Sequence, residues 1–260
     1  MKFLLELAFL GTGYGGWQVQ KNVRTVQQTL QNAVEAAFGR RLPVTGCSRT
    51  DSGVHANMFC CTVETDSESN RIPIDKIPVV LNSFLPEDIS VYGARTVPDG
   101  FHPRYSAVGK EYKYVIWNGR LRDPFMAGRS YFYPKRLDDK KMSVAAEYFK
   151  GEHDFASFMS AGSKITDTVR HIYNVSVVRE GDTVYFTVSG NGFLYNMVRI
   201  MTGTLIGVSE GRFSSDGVAE IIEARNRGAA GVTVPACGLY LNRVFYPEAD
   251  SGANFVPCGK

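Results

Sequence analysis

Apolar and polar positions along this chain fall into two periods. Residues 3–10 form a near-continuous apolar run, which predicts a buried strand. Thr25 followed by Gln28 has the spacing of a capping box. Val26, Leu30, Ala33, Val34 and Ala37 then recur at helical spacing up to Gly39, the residue type that closes helices just past their last turn. Residues 58–65 read as another strand. Pro73, Pro78, Pro86, Pro98 and Pro103 punctuate a mixed stretch over 66–104, and a domain seam is placed near its end. The second half opens with a strand over 106–118, where Tyr112, Tyr114 and Ile116 alternate with Lys113, Val115 and Trp117. A helix at about 138–150 follows, then strands 170–180 and 183–190 joined through Gly181 and Asp182. An apolar helix over 193–207, an amphipathic helix at about 215–226 and a last strand over 238–246 complete the pattern. Strands mixed with helices, without strict βαβ repeats, predict an α+β class with mainly antiparallel sheet. Each half has a strand, a helix and further strands, which predicts two similar α/β sandwich halves, residues 1–104 and 105–260.

Composition narrows this little. The 260 residues are 44% hydrophobic and 21% charged, ordinary globular usage that excludes a disordered tail protein, a collagen or a coiled coil. No run of ~18 uncharged apolar residues predicts a membrane span. The apolar N-terminus imitates a signal peptide, but Glu6 interrupts it and no A-x-A site follows. Five cysteines at 47, 60, 61, 237 and 258 make no C-x-x-C pair, so neither a disulfide framework nor a zinc finger is expected, and a reducing cytoplasm is the predicted setting. His55, His102, His153 and His171 form no i, i+4 pair, and no metal site is expected. Net charge is only +3, yet residues 104–141 hold ten Lys/Arg against four acids. That stretch suits an anionic partner, although on its own a solvated charged face is the plainer reading.

Two polar segments carry candidate chemistry. Gly11-Thr-Gly13-Tyr-Gly15-Gly16 satisfies G-x-G-x-x-G directly after a strand, but its dinucleotide context fails. The helix begins near Val26 rather than at the last glycine, and Glu35, the acid at the expected distance, falls inside the helix. A loop that lets an RNA backbone come close and a plain turn both remain open. The second segment, Gly46 to Ala56, is a dense polar patch between a helix and a strand. Arg49 and Asp51 there can pair, which keeps the carboxylate ionised for work as a nucleophile or base. A structural Asx-turn with a salt bridge fits the same residues.

The Gly46–Ala56 string resembles the signature loop of tRNA pseudouridine synthases of the TruA type, where a G-R-T-D-x-G-V-H pattern carries the catalytic aspartate. Ser48 stands here in place of the glycine before the arginine. The resemblance extends to Gly15-Gly16-Trp17-Gln18, Thr25-Val26-Gln27, Phe101 through Ala107, and Lys110-Glu-Tyr112-Lys-Tyr114. It continues through His153-Asp154-Phe155, Asn196-Met197-Val198-Arg199 and Gly238-Leu239-Tyr240-Leu241, keeping the family's order over roughly residues 3–247. The last dozen residues, ending with Cys258 near the terminus, have no counterpart.

The resemblance implies the pseudouridine synthase fold, with the two halves meeting at a central cleft, and Asp51 as the nucleophile. It further implies that Tyr112 packs on the target base, that Arg199 pairs with Asp51, and that Leu239 and Leu241 form an apolar wall beneath the uracil. Read as residues alone, Tyr112, Leu239 and Leu241 fit core packing and Arg199 fits a structural salt bridge. Arg49 is the candidate to fill the gap left by a flipped uridine. Arg24, Arg40, Arg41, Arg104, Lys110 and Lys113 are candidates for RNA phosphates. The implied substrate is the anticodon arm of tRNA, at uridines 38, 39 and 40, bound by a homodimer without nucleotide cofactor, metal or membrane. A non-catalytic RNA-binding protein and a nucleoside hydrolase are the competing classes. The hydrolase would need a second carboxylate near Asp51, and residues 46–63 offer none.

Overall fold

The computed structural model describes residues 1–66, 72–162 and 165–247; Cys258 and the unmatched C-terminal residues lie outside these. The chain forms two compact units, Met1–Val108 together with the strand residues from Leu241 onward, and Gly109–Tyr240. The sequence pattern places one seam at 104/105 and the last strand wholly in the second half, whereas the chain rejoins the first unit at Leu241.

In the first unit, β1 (Lys2–Phe9) is the apolar run of the N-terminus. It is followed by α1 (Val26–Phe38), β2 (Val44–Gly46), β3 (His55–Glu64), α2 (Ile77–Asn82) and β4 (Ile89–Val97). β1 lies between β3 and β4 and is antiparallel to both, while β2 adds to β3 through Val44↔Val63 and Gly46↔Cys61. α1 starts where its cap predicts: the Thr25 hydroxyl accepts from Gln28 N. It ends at Gly39, whose φ of 70° is the left-handed closure that a Cβ would strain. Its apolar stripe, Val26, Leu30, Ala33 and Val34, is buried, and Phe38 stacks on Phe3 of β1. Helix α2 and strand β4 occupy the proline-rich stretch over 66–104, to which the sequence pattern assigns no element. Pro78 sits in the first turn of α2, where the missing N–H costs nothing.

The second unit runs β5 (Gly109–Trp117), β6 (Tyr131–Phe132), α3 (Asp139–Ala146), β7 (Gly151–Asp154), β8 (Val169–Glu180), β9 (Thr183–Gly190), α4 (Met197–Ser209) and α5 (Gly217–Glu223). Its sheet order is β5-β9-β8-β7, all antiparallel, with the short β6 parallel to β5. The β8–β9 hairpin turns at Gly181 and Asp182 as read from the sequence, with Gly181 at φ 58°. α4 is buried along eleven of its thirteen residues, as its unbroken apolar character requires. The last strand, β10 (Leu239–Phe245), lies beside β3 in its first-unit portion, where Asn57 donates to Asn242. The α+β class with mainly antiparallel sheet is therefore the observed one.

Helix α4 begins four residues later than the apolar pattern predicts. Asn196 takes a left-handed φ of 60°, which an asparagine tolerates and which interrupts helical winding before Met197. Phe193 and Leu194 thus precede the helix rather than open it.

Candidate functional site

Asp51 lies in the segment that joins β2 to β3, and the glycine-rich segment 11–16 is its seat. Trp17 N donates to Thr50 O (3.1 Å). Gly53 N (3.3 Å) and the Ser52 hydroxyl (3.2 Å) both donate to Tyr14 O, and Gly11 N donates to His55 Nδ1 (3.0 Å). Val54 N closes a turn onto Asp51 O at 3.2 Å. The two segments lie so close that no side chain fits between them. A Cβ on Gly11 would stand 2.0 Å from Val54 O, and one on Gly16, at φ 93°, would stand 2.3 Å from Thr50 O. Gly46 is likewise covered by the Trp17 indole, which stacks on Phe59 with centroids 4.0 Å apart. The G-x-G-x-x-G run therefore forms a short 3-10 turn packed against the aspartate loop, and it heads no helix. Of the two readings left open for it, the turn is what its contacts describe, and its glycines are required by close approach within the protein.

The loop leaves Asp51 half-buried, while Thr50 is buried and Arg49 is exposed. Arg49 forms no ion pair among the described residues. The Thr50 hydroxyl is buried without a hydrogen-bond partner among the described residues, an uncommon and costly state. Beside the loop, Tyr14 is buried under Arg24, whose guanidinium lies 4.4 Å above the ring and donates to the phenol oxygen at 2.8 Å. The phenol in turn donates to Asp88. Burial first, and Asp88 next, push the Tyr14 hydroxyl well above its ordinary range, so it stays a neutral donor.

In the second unit, Tyr112 stands on β5 opposite Val188 of β9. It is 9% exposed, and the Phe193 ring meets it edge-on at 4.9 Å and 77°. Arg199, on the first turn of α4, donates from Nε to Val234 O (2.7 Å) and from Nη1 to Asn196 Oδ1 (2.6 Å). The segment carrying Val234 crosses α4 at Gly203, where a Cβ would stand 1.9 Å from Val232 O. It continues to Pro235, whose carbonyl accepts from the buried Tyr114 hydroxyl at 2.6 Å. Leu239 and Leu241 are both buried, at 7% and 0% exposure.

The six candidates for RNA phosphates are less uniform. Arg24 is engaged with Tyr14 and Asp88, Arg40 pairs with Asp66 at 2.7 Å, and Arg41 pairs with Glu35 at 2.8 Å. Arg40 and Arg41 line an open groove of about 410 Å³ that also contains Glu64, Asp66 and Asp99, so that face is mixed in sign. Arg104 is exposed and lies 5.9 Å over Tyr105, while Lys113 lies 5.6 Å over Tyr185. Lys110 stands at the start of β5.

Sequence reasoning missed three supporting residues. Phe193 and Asn196 were absorbed into an apolar helix, and only the asparagine, a residue that tolerates left-handed backbone, could have signalled the break. For His55 the sequence carries no signal of its bond to Gly11. Among the described residues, no three His, Cys, Asp or Glu side chains cluster to hold a metal, and no helix is long and apolar enough to cross a membrane.

A family model described as tRNA pseudouridine synthase matches residues 7–106 and 145–247. Asp51, Arg199, Leu239 and Leu241 fall within the matched stretches, whereas Tyr112 and most of the basic stretch fall between them. Over almost the whole chain there is similarity to curated proteins named tRNA pseudouridine synthase A. The Ruminiclostridium cellulolyticum protein is 46% identical, across 94% of this chain and 99% of its own. That of Clostridium kluyveri is also 46% identical, across 93% and 98%. The Acetivibrio thermocellus protein is 44% identical, across 95% and 99%.

Proposed function

The chain belongs to the tRNA pseudouridine synthase family, an isomerase family, and on that premise we propose that it converts uridine to pseudouridine in the anticodon arm of tRNA, at positions 38, 39 and 40, with Asp51 as nucleophile. The reaction breaks the N1–C1′ bond, turns the uracil and joins C5 to C1′. The C5 proton is lost and N1 regains one. Atoms and electrons balance within the substrate, so the chemistry calls on no nucleotide, flavin or metal.

The observation that carries this reading is the half-buried Asp51 on a loop pinned by main-chain hydrogen bonds to a glycine-rich seat. Such rigidity suits a group that must meet one reacting carbon, because misplacement by about 1 Å costs on the order of 10²-fold in rate. The family resemblance pairs Asp51 with Arg199, and the ionised carboxylate either adds to the sugar or drives loss of the base. The target uridine leaves its stack at a cost of a few kcal/mol. Arg49, exposed on the same loop, fills the gap. Stacking of the uracil on Tyr112 returns ~1–3 kcal/mol, and the Tyr112 oxygen takes the C5 proton as its own hydroxyl proton passes to solvent, from which N1 regains one. Leu239 and Leu241 form the apolar wall of the base pocket.

Arg104, Lys110 and Lys113, with Arg24, Arg40 and Arg41, bind RNA phosphates without reading sequence. The ion pairs on Arg24, Arg40 and Arg41 are exposed and weak, so phosphate can displace the carboxylates. The resemblance that suggests the anticodon arm also suggests a homodimer, and the cysteine pattern suggests a reducing cytoplasm as its setting.

The test uses the purified full chain, tRNA tritiated at uridine C5 and no added cofactor. Tritium released in step with pseudouridine formed, and confined to uridines 38–40, is the expected result. Absence of release, or release from a tRNA lacking uridine at those positions, would refute the assignment.

A further inference from the structure

We propose that His55 is a positioning residue for this reaction, acting as a latch between the glycine turn and the Asp51 loop. The inference rests on the proposed role of Asp51. His55 is fully buried at the first residue of β3, immediately after the loop. Its Nδ1 accepts the N–H of Gly11, two residues past the end of β1, at 3.0 Å. An N–H aimed at Nδ1 requires that nitrogen to carry the lone pair, so the imidazole is neutral with its proton on Nε2.

The bond ties together the points at which β1 and β3 leave the sheet. Between those points the glycine turn and the Asp51 loop touch main chain to main chain, from Gly53 N to Tyr14 O and from Trp17 N to Thr50 O, and the Ser52 hydroxyl adds a bond to Tyr14 O. Gly11 also sits against Val54 O with no room for a Cβ. A slip of Gly11 is therefore transmitted to the loop through rigid backbone contact. Removing the Nδ1 acceptor strands a buried N–H at Gly11, which the turn relieves by moving. The seat then loosens, and the Asp51 carboxylate loses its fixed position.

The geometry also specifies which replacement works. An asparagine oxygen can stand where Nδ1 stands, close to the backbone, whereas glutamine places its oxygen one bond farther out. Single-turnover tritium release and tRNA affinity are measured on the full chain for wild type, His55→Asn, His55→Gln, His55→Leu and Asp51→Ala. In His55→Leu the rate falls by about 10²-fold, with tRNA affinity unchanged. His55→Asn recovers most of the rate, and His55→Gln does not. If His55→Leu fails to fold, the Asn and Gln pair decides alone. Equal rates for Asn and Gln, or a wild-type rate in His55→Leu, overturn the latch. Activity surviving in Asp51→Ala overturns instead the reading on which it rests.

Discussion

In the first unit, Asp51 is held by backbone: Thr50 O, Tyr14 O and the turn at Val54 set the loop, and glycines at 11, 16 and 46 let it close. In the second unit, Tyr112 and Arg199 are held by regular structure and side chains. Tyr112 is one rung of the β5–β9 ladder with Phe193 against its ring, and Arg199 rides the first turn of α4 with Asn196 and Val234 on its guanidinium. The difference predicts opposite sensitivities. Apart from Asp51 itself and the His55 latch, the loop tolerates changes to its side chains but not one added carbon on the glycines that seat it. The strand and helix tolerate local backbone adjustment but lose function as side chains are trimmed.

The largest effect should come from Gly16→Ala. It adds a Cβ 2.3 Å from Thr50 O at φ 93°, and strain plus overpacking should cost roughly 3 kcal/mol in urea unfolding, with loss of tritium release. Gly39→Ala is the matched control. Its φ is 70° but nothing lies within 4 Å, so it should cost about 1 kcal/mol and leave the rate unchanged. Equal costs for the two would remove the close-packing half of the comparison.

Next in size is Arg199→Lys. An ammonium cannot reproduce the two-directional grip on Val234 O and Asn196 Oδ1, and about a tenfold or greater drop in single-turnover rate is expected with tRNA affinity retained. Phe193→Leu removes the edge-on ring contact to Tyr112. A loss of ~0.5–1.5 kcal/mol is expected in substrate stacking, read as a rise in KM rather than a fall in kcat.

The smallest effect tests the second unit's scaffold. Arg179, by its hydrogen bond to Asp139, holds that carboxyl below the ordinary carboxylate range. A depressed folded-state value stabilises above the ordinary value of 3.8, and that contribution is lost as pH falls through and below this range. Asp139→Asn should therefore lower the melting temperature at pH 7, and the gap to wild type should narrow progressively as pH falls below 3.8. A gap unchanged across that range would contradict the ion pair's contribution.

Legibility in the sequence follows the same divide. β1, α1 with both caps, and the β8–β9 hairpin were readable because period, cap and turn residues agreed with one another. Helix α2 and strand β4 were obscured by prolines that turn out to sit at harmless positions. The start of α4 was misplaced because apolar periodicity cannot register one left-handed asparagine. For the site, the polar loop around Asp51 stood out as a segment, and its role came from resemblance to a known family. Its support did not stand out: hydrogen bonds between residues 11–17 and 50–55 are long-range in sequence, and glycines spaced for close packing look the same as glycines spaced for a phosphate. The pairing of Arg49 with Asp51 was a reasonable reading of two neighbours, yet the exposed Arg49 makes no ion pair among the described residues.

In the proposed mechanism the reaction cannot start without the carboxylate at position 51, whereas tRNA binding does not depend on it. The most direct measurement is tritium release from C5-labelled tRNA by Asp51→Ala at enzyme excess, with tRNA binding recorded on the same samples. The account predicts binding close to wild type and no release above the uncatalysed background. Release at a rate comparable to wild type would contradict it.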